Sequence, residues 1–309
     1  MSIYELLKIE RPTVKESSLN TYMNSLRKLY EYIEGEKIIP NSLGFLMKKE
    51  QINEFLKKLK TDNTRKGYMS HIVIFLLLLN KISPDPDIDV FIADLRERVE
   101  TLNINYTEFN KTNVKTVKQE ENWISVADIM LIATTLKKTN YQAYACIMIH
   151  LHIPMRNDLP TIVKMTQRQY ANLSLEEKQV TNAVIETSYR NYEFRLNDYK
   201  TNHSYKETII KIPKELVKVI IKMVKTNYMI NDTKYLIVNP NTGEQMTKNQ
   251  YTRYLNNIFR HTGKKISSSI LRNIVLSEKY GETLKEMKEM ANNMMHSEAM
   301  QRSYIKCES

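Results

Sequence analysis

NNMMHSEAMQRSYIK, residues 292–306, sets His296 and Tyr304 eight positions apart in a segment of helical character. Eight residues is a little over two helical turns, so the two side chains fall on related faces. Both can carry proton or covalent chemistry. Taken alone, a two-residue spacing is a weak motif and reads as a surface helix with an incidental His and Tyr. Its meaning depends on what the rest of the chain supplies.

The chain has 309 residues, enough for two ordinary domains with a core each, and its 42% apolar content fits a soluble globular protein. The longest apolar run, IVIFLLLL at 72–79, is far short of a membrane span and reads as the buried face of a helix. No basic-then-apolar leader opens the sequence, which argues against secretion. Cys146 and Cys307 offer neither a disulfide framework nor metal-ligand spacing, so a reducing intracellular compartment is expected. The net charge of +11 is unevenly placed. Residues 1–110 carry 16 basic and 16 acidic side chains, whereas 111–309 carry 30 and 19. A body this basic points to a polyanionic partner, most simply nucleic acid. No lipidation motif or basic amphipathic terminus points to a membrane.

The first hundred residues read as helices. SLNTYMNSLRKLYEYI (18–33) spaces Tyr22, Leu26, Leu29, Tyr30 and Ile33 by threes and fours. KEQINEFLKKLK (49–60) and TRKGYMSHIVIFLLLLN (64–80) follow, SPDPD (83–87) interrupts, and DVFIADLRERVETL (89–102) resumes. Four short helices make a compact bundle whose polar sides carry Arg27, Lys28, Arg65 and Lys66, candidates for DNA contact or a solvated face. NYTEFNKTNVKTVKQEEN (105–122) is polar without apolar periodicity and predicts a linker between domains at 1–104 and 123–309. Beyond Trp123 two helices are expected, then the strands NAVIET (182–187), YEFRLND (192–198) and ETIIKIP (207–213), with a turn at KTNHSYK (200–206). KELVKVIIKMVKTNYM returns to helix, YLIV (235–238) ends at the NPNTG turn, and everything after 246 reads as helical. The fold class is therefore mainly α with a small antiparallel β-sheet. Six glycines leave little material for a nucleotide-binding loop.

Four local contexts stand in order along the chain. IPMRNDLP (153–160) holds Arg156 and Asp158, and NDYKTNHSYK (197–206) holds Lys200. SSSILRNIV (267–275) holds Arg272 on an apolar helix, where a charge needs a partner, and the opening stretch holds His296 and Tyr304. Each has a structural reading too. Arg156 can pair with Asp158, Arg272 can bridge helices, and Lys206 can serve in place of Lys200. His150 and His152 lack a neighbouring Cys or carboxylate and read as core or groove residues, not metal ligands. Met287, Met290, Met294 and Met295 read as a packing stripe.

Arginine, lysine, arginine, histidine, tyrosine in this order and these contexts resembles the tyrosine recombinase (phage-integrase) family. The resemblance covers most of the chain and is strongest over 123–309; residues 1–104 are similar to the family's helical core-binding domain. YKT in the hairpin and the xLR box are similar to integrases of large DNA viruses and their satellite viruses. The resemblance implies that Tyr304 is the nucleophile, that Arg156 and Arg272 hold the scissile phosphate, and that Lys200 protonates the leaving oxygen. His296 then binds the phosphate or assists the tyrosine proton, with Asp158 orienting neighbours. It also implies double-stranded DNA as partner, a homo-tetramer on that DNA, and neither cofactor nor metal. The site of action is wherever the target DNA lies, the host nucleus for a viral enzyme.

The chemistry suits these residue types. In-line attack on a phosphodiester gathers negative charge on the non-bridging oxygens, which guanidinium groups hold through paired hydrogen bonds. Three departures from the family pattern are visible. Ser269 stands where a His usually precedes the second arginine by three residues, Asp158 follows Arg156 by two positions and not three, and the His296–Tyr304 gap is one residue short. Serine can donate to a phosphate but cannot exchange protons near neutral pH, so an altered rate is expected. With only IKCES after Tyr304, protomer contacts are expected to use elements other than a long exchanged tail. The sequence reads as a site-specific recombinase or integrase. A type IB topoisomerase and a catalytically degenerate DNA-binding relative are the other readings it admits.

Overall fold

The computed structural model describes residues 2–38, 42–231 and 233–304. Cys307 and the rest of the tail lie outside the described residues. The chain forms two compact units, residues 1–114 and 115–309.

The first unit contains helices α1 (Ile3–Glu10), α2 (Glu16–Glu34), α3 (Lys49–Lys58), α4 (Asp62–Ile82) and α5 (Pro86–Lys111). The three- and four-residue spacing of α2 puts Leu19, Leu26, Leu29 and Tyr30 on one buried face. They pack with Ile52 and Leu56 of α3, Phe75 and Leu76 of α4, and Leu95 of α5. The apolar run 72–79 buries most of its length there, which removes it from water as a core helix and not a membrane segment. No described helix is long and apolar enough to cross a membrane. The SPDPD break is a helix start: Asp85 caps α5 by accepting from the Asp87 N–H, and Pro86 occupies the first turn. The bundle gains α1, closed at its start by a Ser2–Glu5 capping box.

The stretch 105–122, read as a linker, spans the boundary between the two units but is mostly helical. Helix α5 runs on to Lys111, Asn113 turns the chain in a left-handed conformation (φ 58°), and α6 (Val117–Glu121) follows behind a Thr116 capping box. Apolar periodicity is missing there because the end of α5 is exposed on all sides, not because it is coil.

The second unit continues with α7 (Val126–Thr139) and α8 (Tyr141–His152), then a sheet of β1 (Ile162–Thr166), β2 (Asn182–Ser188), β3 (Asn191–Leu196) and β4 (Thr208–Lys211) in that spatial order. The antiparallel expectation holds for β2–β3–β4, but β1 pairs with β2 in parallel, so the sheet is mixed. Two one-turn helices, α9 (Gln167–Ala171) and α10 (Leu175–Gln179), occupy the crossover that a parallel pair requires. Between β3 and β4 lies one more, α11 (Asn202–Tyr205). YLIV contributes only bridges, Val163 with Tyr235 and Val238 with Gln245, although Leu236, Ile237 and Val238 are buried. Helices α12 (Lys214–Asn231), α13 (Lys248–Ile258), α14 (Ser268–Asn293) and α15 (Glu298–Tyr304) complete the unit.

Its core joins Ile147 and Ile149 of α8, Phe194 of β3, Leu216 and Ile220 of α12, Leu255 of α13 and Leu271 of α14. The methionines at 287–295 are not the packing stripe their spacing suggests. Met290, Met294 and Met295 are 59%, 44% and 94% exposed, because α14 leaves the core after Val275.

Candidate active site

Helix α8 ends at His152, and buried Ile153 and Met155 anchor the chain that follows. Arg156 is thereby held at the surface, while Asp158 two residues on is only 6% exposed. A nearly dry carboxylate needs partners, and Asp158 has one in Lys248, the first residue of α13, whose Nζ donates to Oδ1 at 2.7 Å. Between the two, Asn157 ties the loop down. Its Nδ2 donates to Thr252 Oγ1 at 2.8 Å, and its Oδ1 accepts from Ser268 Oγ at the start of α14.

Arg272 lies one turn into α14, half-buried, with Nε left without a partner. Burial pulls its pKa below the ordinary value, Arg156 pushes in the same direction, and Asp158 opposes both. Two guanidinium groups near enough to repel, with an anion near enough to moderate them, leave a site short of negative charge. A bound anion would supply such charge. Ser269 is exposed and three residues before Arg272, on the same side of α14, whereas its neighbour Ser268 is 2% exposed and committed to Asn157.

Behind Arg272 sits His150, fully buried, with Nε2 at 2.9 Å from Tyr251 OH and Nδ1 unpartnered. Burial first, then the nearby Arg272 charge, press its pKa down to about 4, so it is a neutral core histidine at pH 7. The core-or-groove reading of His150 describes it. Among the described residues no group of three His, Cys, Asp or Glu side chains is set to hold a metal.

Lys200 is exposed on the segment joining β3 to β4. That segment is longer than the simple turn its sequence suggests, and it is pinned at its base. Asn182 Oδ1 accepts from the N–H groups of Asn197 and Asp198, and Tyr199 OH donates to Lys206 O at 2.7 Å. Lys206 is also exposed, in a left-handed conformation (φ 52°). Neither lysine is in an ion pair among the described residues.

His296 follows a sharp turn in which Met295 has φ 53° and the His296 N–H donates to Ala291 O at 3.0 Å. Helix α15 brings Tyr304 back against it, ring centroids 5.6 Å apart, with Tyr304 still 56% exposed. The His296 Nδ1 is buried and unpartnered, so it has hydrogen-bonding capacity to spare.

The fold thus forms one group from Arg156, Asp158 and Arg272 and a second from His296 and Tyr304. Among the described residues no side-chain hydrogen bond, ion pair or ring contact joins the two groups, or either to Lys200. In the first unit, Arg27 bonds Asn24 at 2.8 Å, Lys28 is exposed, and Lys66 lies over the Tyr106 ring at 5.2 Å. Arg65 makes its hydrogen bonds within the first unit. Its guanidinium donates to Leu56 O, Leu59 O and Asp62, clamping the end of α3. Lys248, Asn157 and Ser268 were invisible to sequence reasoning. Thr247 and Gln250 advertise a helix start, but nothing local signals an ion pair 90 residues away.

No protein-family model matches the sequence, and no curated protein does. Solved structures do. The chain is similar to the Tn1549 transposon integrase in complex with transposon right end DNA, with TM-score 0.52 and 14% identity over 100% of this chain and 96% of that one. The same figures hold for that integrase with circular intermediate DNA. A lambda integrase dimer bound to a core site aligns at TM-score 0.46 and 10% identity, over 100% of this chain and 80% of that one. At such identity the likeness is one of fold: mainly helical with a small mixed sheet, as in the Tn1549 integrase.

Proposed function

We propose that the chain is a tyrosine recombinase that cleaves and rejoins double-stranded DNA through a 3′-phosphotyrosyl intermediate. The observation that carries this reading is the Arg156–Arg272 pair beside Asp158, with the unpartnered Arg272 Nε, on a fold shared with an integrase. Both guanidinium groups bind the non-bridging oxygens of the scissile phosphate and stabilise the charge that grows on them. The Tyr304 oxygen forms a bond to phosphorus as the bond from phosphorus to the 5′-oxygen breaks. The phenolic proton leaves with help from His296, and Lys200 gives a proton to the departing 5′-oxygen. Rejoining reverses each transfer, and the covalent link keeps the bond energy throughout. The two groups of residues close into one site when DNA bridges them. Four protomers acting on two duplexes, and a viral or mobile-element setting, complete the proposal.

The test uses nicked DNA from the flanks of the protein's own gene, so that the cleaved product escapes. Covalent protein–DNA adduct is expected with the natural chain, and none with Tyr304→Phe. An equal yield of adduct from both would remove Tyr304 as nucleophile.

A further inference from the structure

An asparagine side chain carries a carbonyl that accepts and an NH2 group that donates, at two corners of one planar amide. Asn157, between Arg156 and Asp158, uses both. Its Nδ2 donates to Thr252 Oγ1 on α13 at 2.8 Å, and its Oδ1 accepts from Ser268 Oγ on the first residue of α14. The neighbours fix the polarity of this bridge. Thr252 gives its own hydroxyl proton to Lys248 O at 3.0 Å, so toward Asn157 it can only accept. The NH2 group must then face α13, which leaves the carbonyl for the buried Ser268 hydroxyl.

The bridge stands where the two arginines are set. Arg156 immediately precedes Asn157, and Arg272 follows Ser268 by four residues, one turn along the same face of α14. On α13, Lys248 lies one turn before Thr252 and holds Asp158. Two adjacent loop residues therefore grip α13, and Asn157 carries the hold over to α14. Among the described residues no other side-chain hydrogen bond or ion pair joins the loop at 153–161 to that helix.

Something must resist the repulsion between Arg156 and Arg272. Ile153, Met155 and Leu159 share a core cluster with Leu271 and Ile274, but apolar burial is non-directional. An amide held at both ends supplies the missing direction.

We infer that Asn157 is a positioning residue that sets the distance and relative orientation of Arg156 and Arg272. The inference rests on the strand-transfer reading proposed above, in which that pair meets the scissile phosphate. The Asn157 amide is spent on Thr252 and Ser268, so it acts through the arginines. A displacement of about 1 Å in such a pair can cost about a hundredfold in rate.

The experiment follows covalent adduct on nicked duplex DNA over time at saturating protein, which separates the rate constant from the final yield. Asn157→Ala and Ser268→Ala should each lower the rate constant by about tenfold to a hundredfold and leave duplex affinity within about twofold. Loss of fold would instead lower the yield and leave the rate constant of the surviving molecules unchanged. The double variant should be no slower than the slower single one, because one bridge has been cut twice. Thr252→Val removes the acceptor on α13 and should also slow the reaction. Thr252→Ser keeps the hydroxyl and should restore the natural rate. An unchanged rate constant in Asn157→Ala or Ser268→Ala, with or without a lower yield, would overturn the inference. So would affinity lost in step with rate, losses that multiply in the double variant, or a Thr252→Ser as slow as Thr252→Val. Any of these leaves the strand-transfer reading standing, provided that the natural chain forms adduct and Tyr304→Phe does not. No adduct from the natural chain would remove that reading, and the role of Asn157 with it.

Discussion

Asp158 and Lys248 show how one residue can hold a site that it does not itself perform. The carboxylate is close to dry, and Lys248 is its ion-pair partner, with Arg272 near enough to feel its charge. Lys248→Met leaves that carboxylate without the pair, and the expected cost is about 1–2 kcal/mol, moderated because the lysine side chain is 45% exposed. Urea unfolding measures it, and a change below about 0.3 kcal/mol would show the pair to be ornamental. His150 makes a second prediction at this scale. It faces Arg272 from α14 and Tyr251 from α13, and its folded pKa of about 4 lies below the 6.5 of the free side chain. The unfolded chain therefore binds the extra proton first, so the contribution is complete above about pH 6.5 and is lost as pH falls toward 4. The loss is on the order of 3 kcal/mol over that window. His150→Gln should flatten that part of the stability profile, and an unchanged slope would assign the acid sensitivity elsewhere.

At the scale of elements, α14 is supported unevenly along its length. Its first two turns bury Ile270, Leu271, Ile274 and Val275, while the following stretch rests on intrinsic helical preference. Gly281 sits in the middle of that stretch, and a methyl group there would meet no atom within 4 Å. Gly281→Ala should raise stability by about 0.5–1 kcal/mol, read as a higher Tm, because it removes backbone freedom from the unfolded chain. A lower Tm would mean that the segment needs to bend at this point. The same element shows where sequence reading succeeds and stops. Periodicity located α2 and α4 because one face of each is buried, and β2, β3 and β4 because their residue types are strand formers. It misread the methionines of α14, since spacing shows that residues share a face but not that anything covers it. It passed over β1, whose five residues include Lys164 and Thr166, and whose partner is supplied by a crossover. The residues of the candidate site were legible by type and order. Their grouping was not, because Asp158, Lys248 and Arg272 are brought together only by the packing of α8, α13 and α14.

For the whole molecule, the excess of positive charge becomes a prediction about how binding responds to salt. Each phosphate neutralised by a lysine or arginine releases condensed counterions, and the logarithm of the binding constant then falls linearly with the logarithm of salt concentration, by about 0.9 per contact on duplex DNA. The excess resides in residues 111–309, so substitutions in the second unit should dominate that slope. Lys200 and Lys206 are both exposed and outside any described ion pair, so either can lose its counterions to a phosphate. Lys200→Ala should reduce the slope by about 0.9 if that side chain contacts DNA in the ground state, and Lys206→Ala tests the alternative by the same measure. Arg65→Gln should behave differently. Its guanidinium is spent on the end of α3, so the variant should lose stability and keep the slope. Fluorescence anisotropy with a duplex across a salt series reads all three. A natural chain whose affinity is indifferent to salt would contradict a phosphate-binding surface altogether. A slope lowered by Arg65→Gln but by neither lysine would move the DNA contact to the first unit. That charge is distributed by sequence but committed by packing is why Arg65, which looks like Lys66 in the sequence, is expected to answer a different experiment.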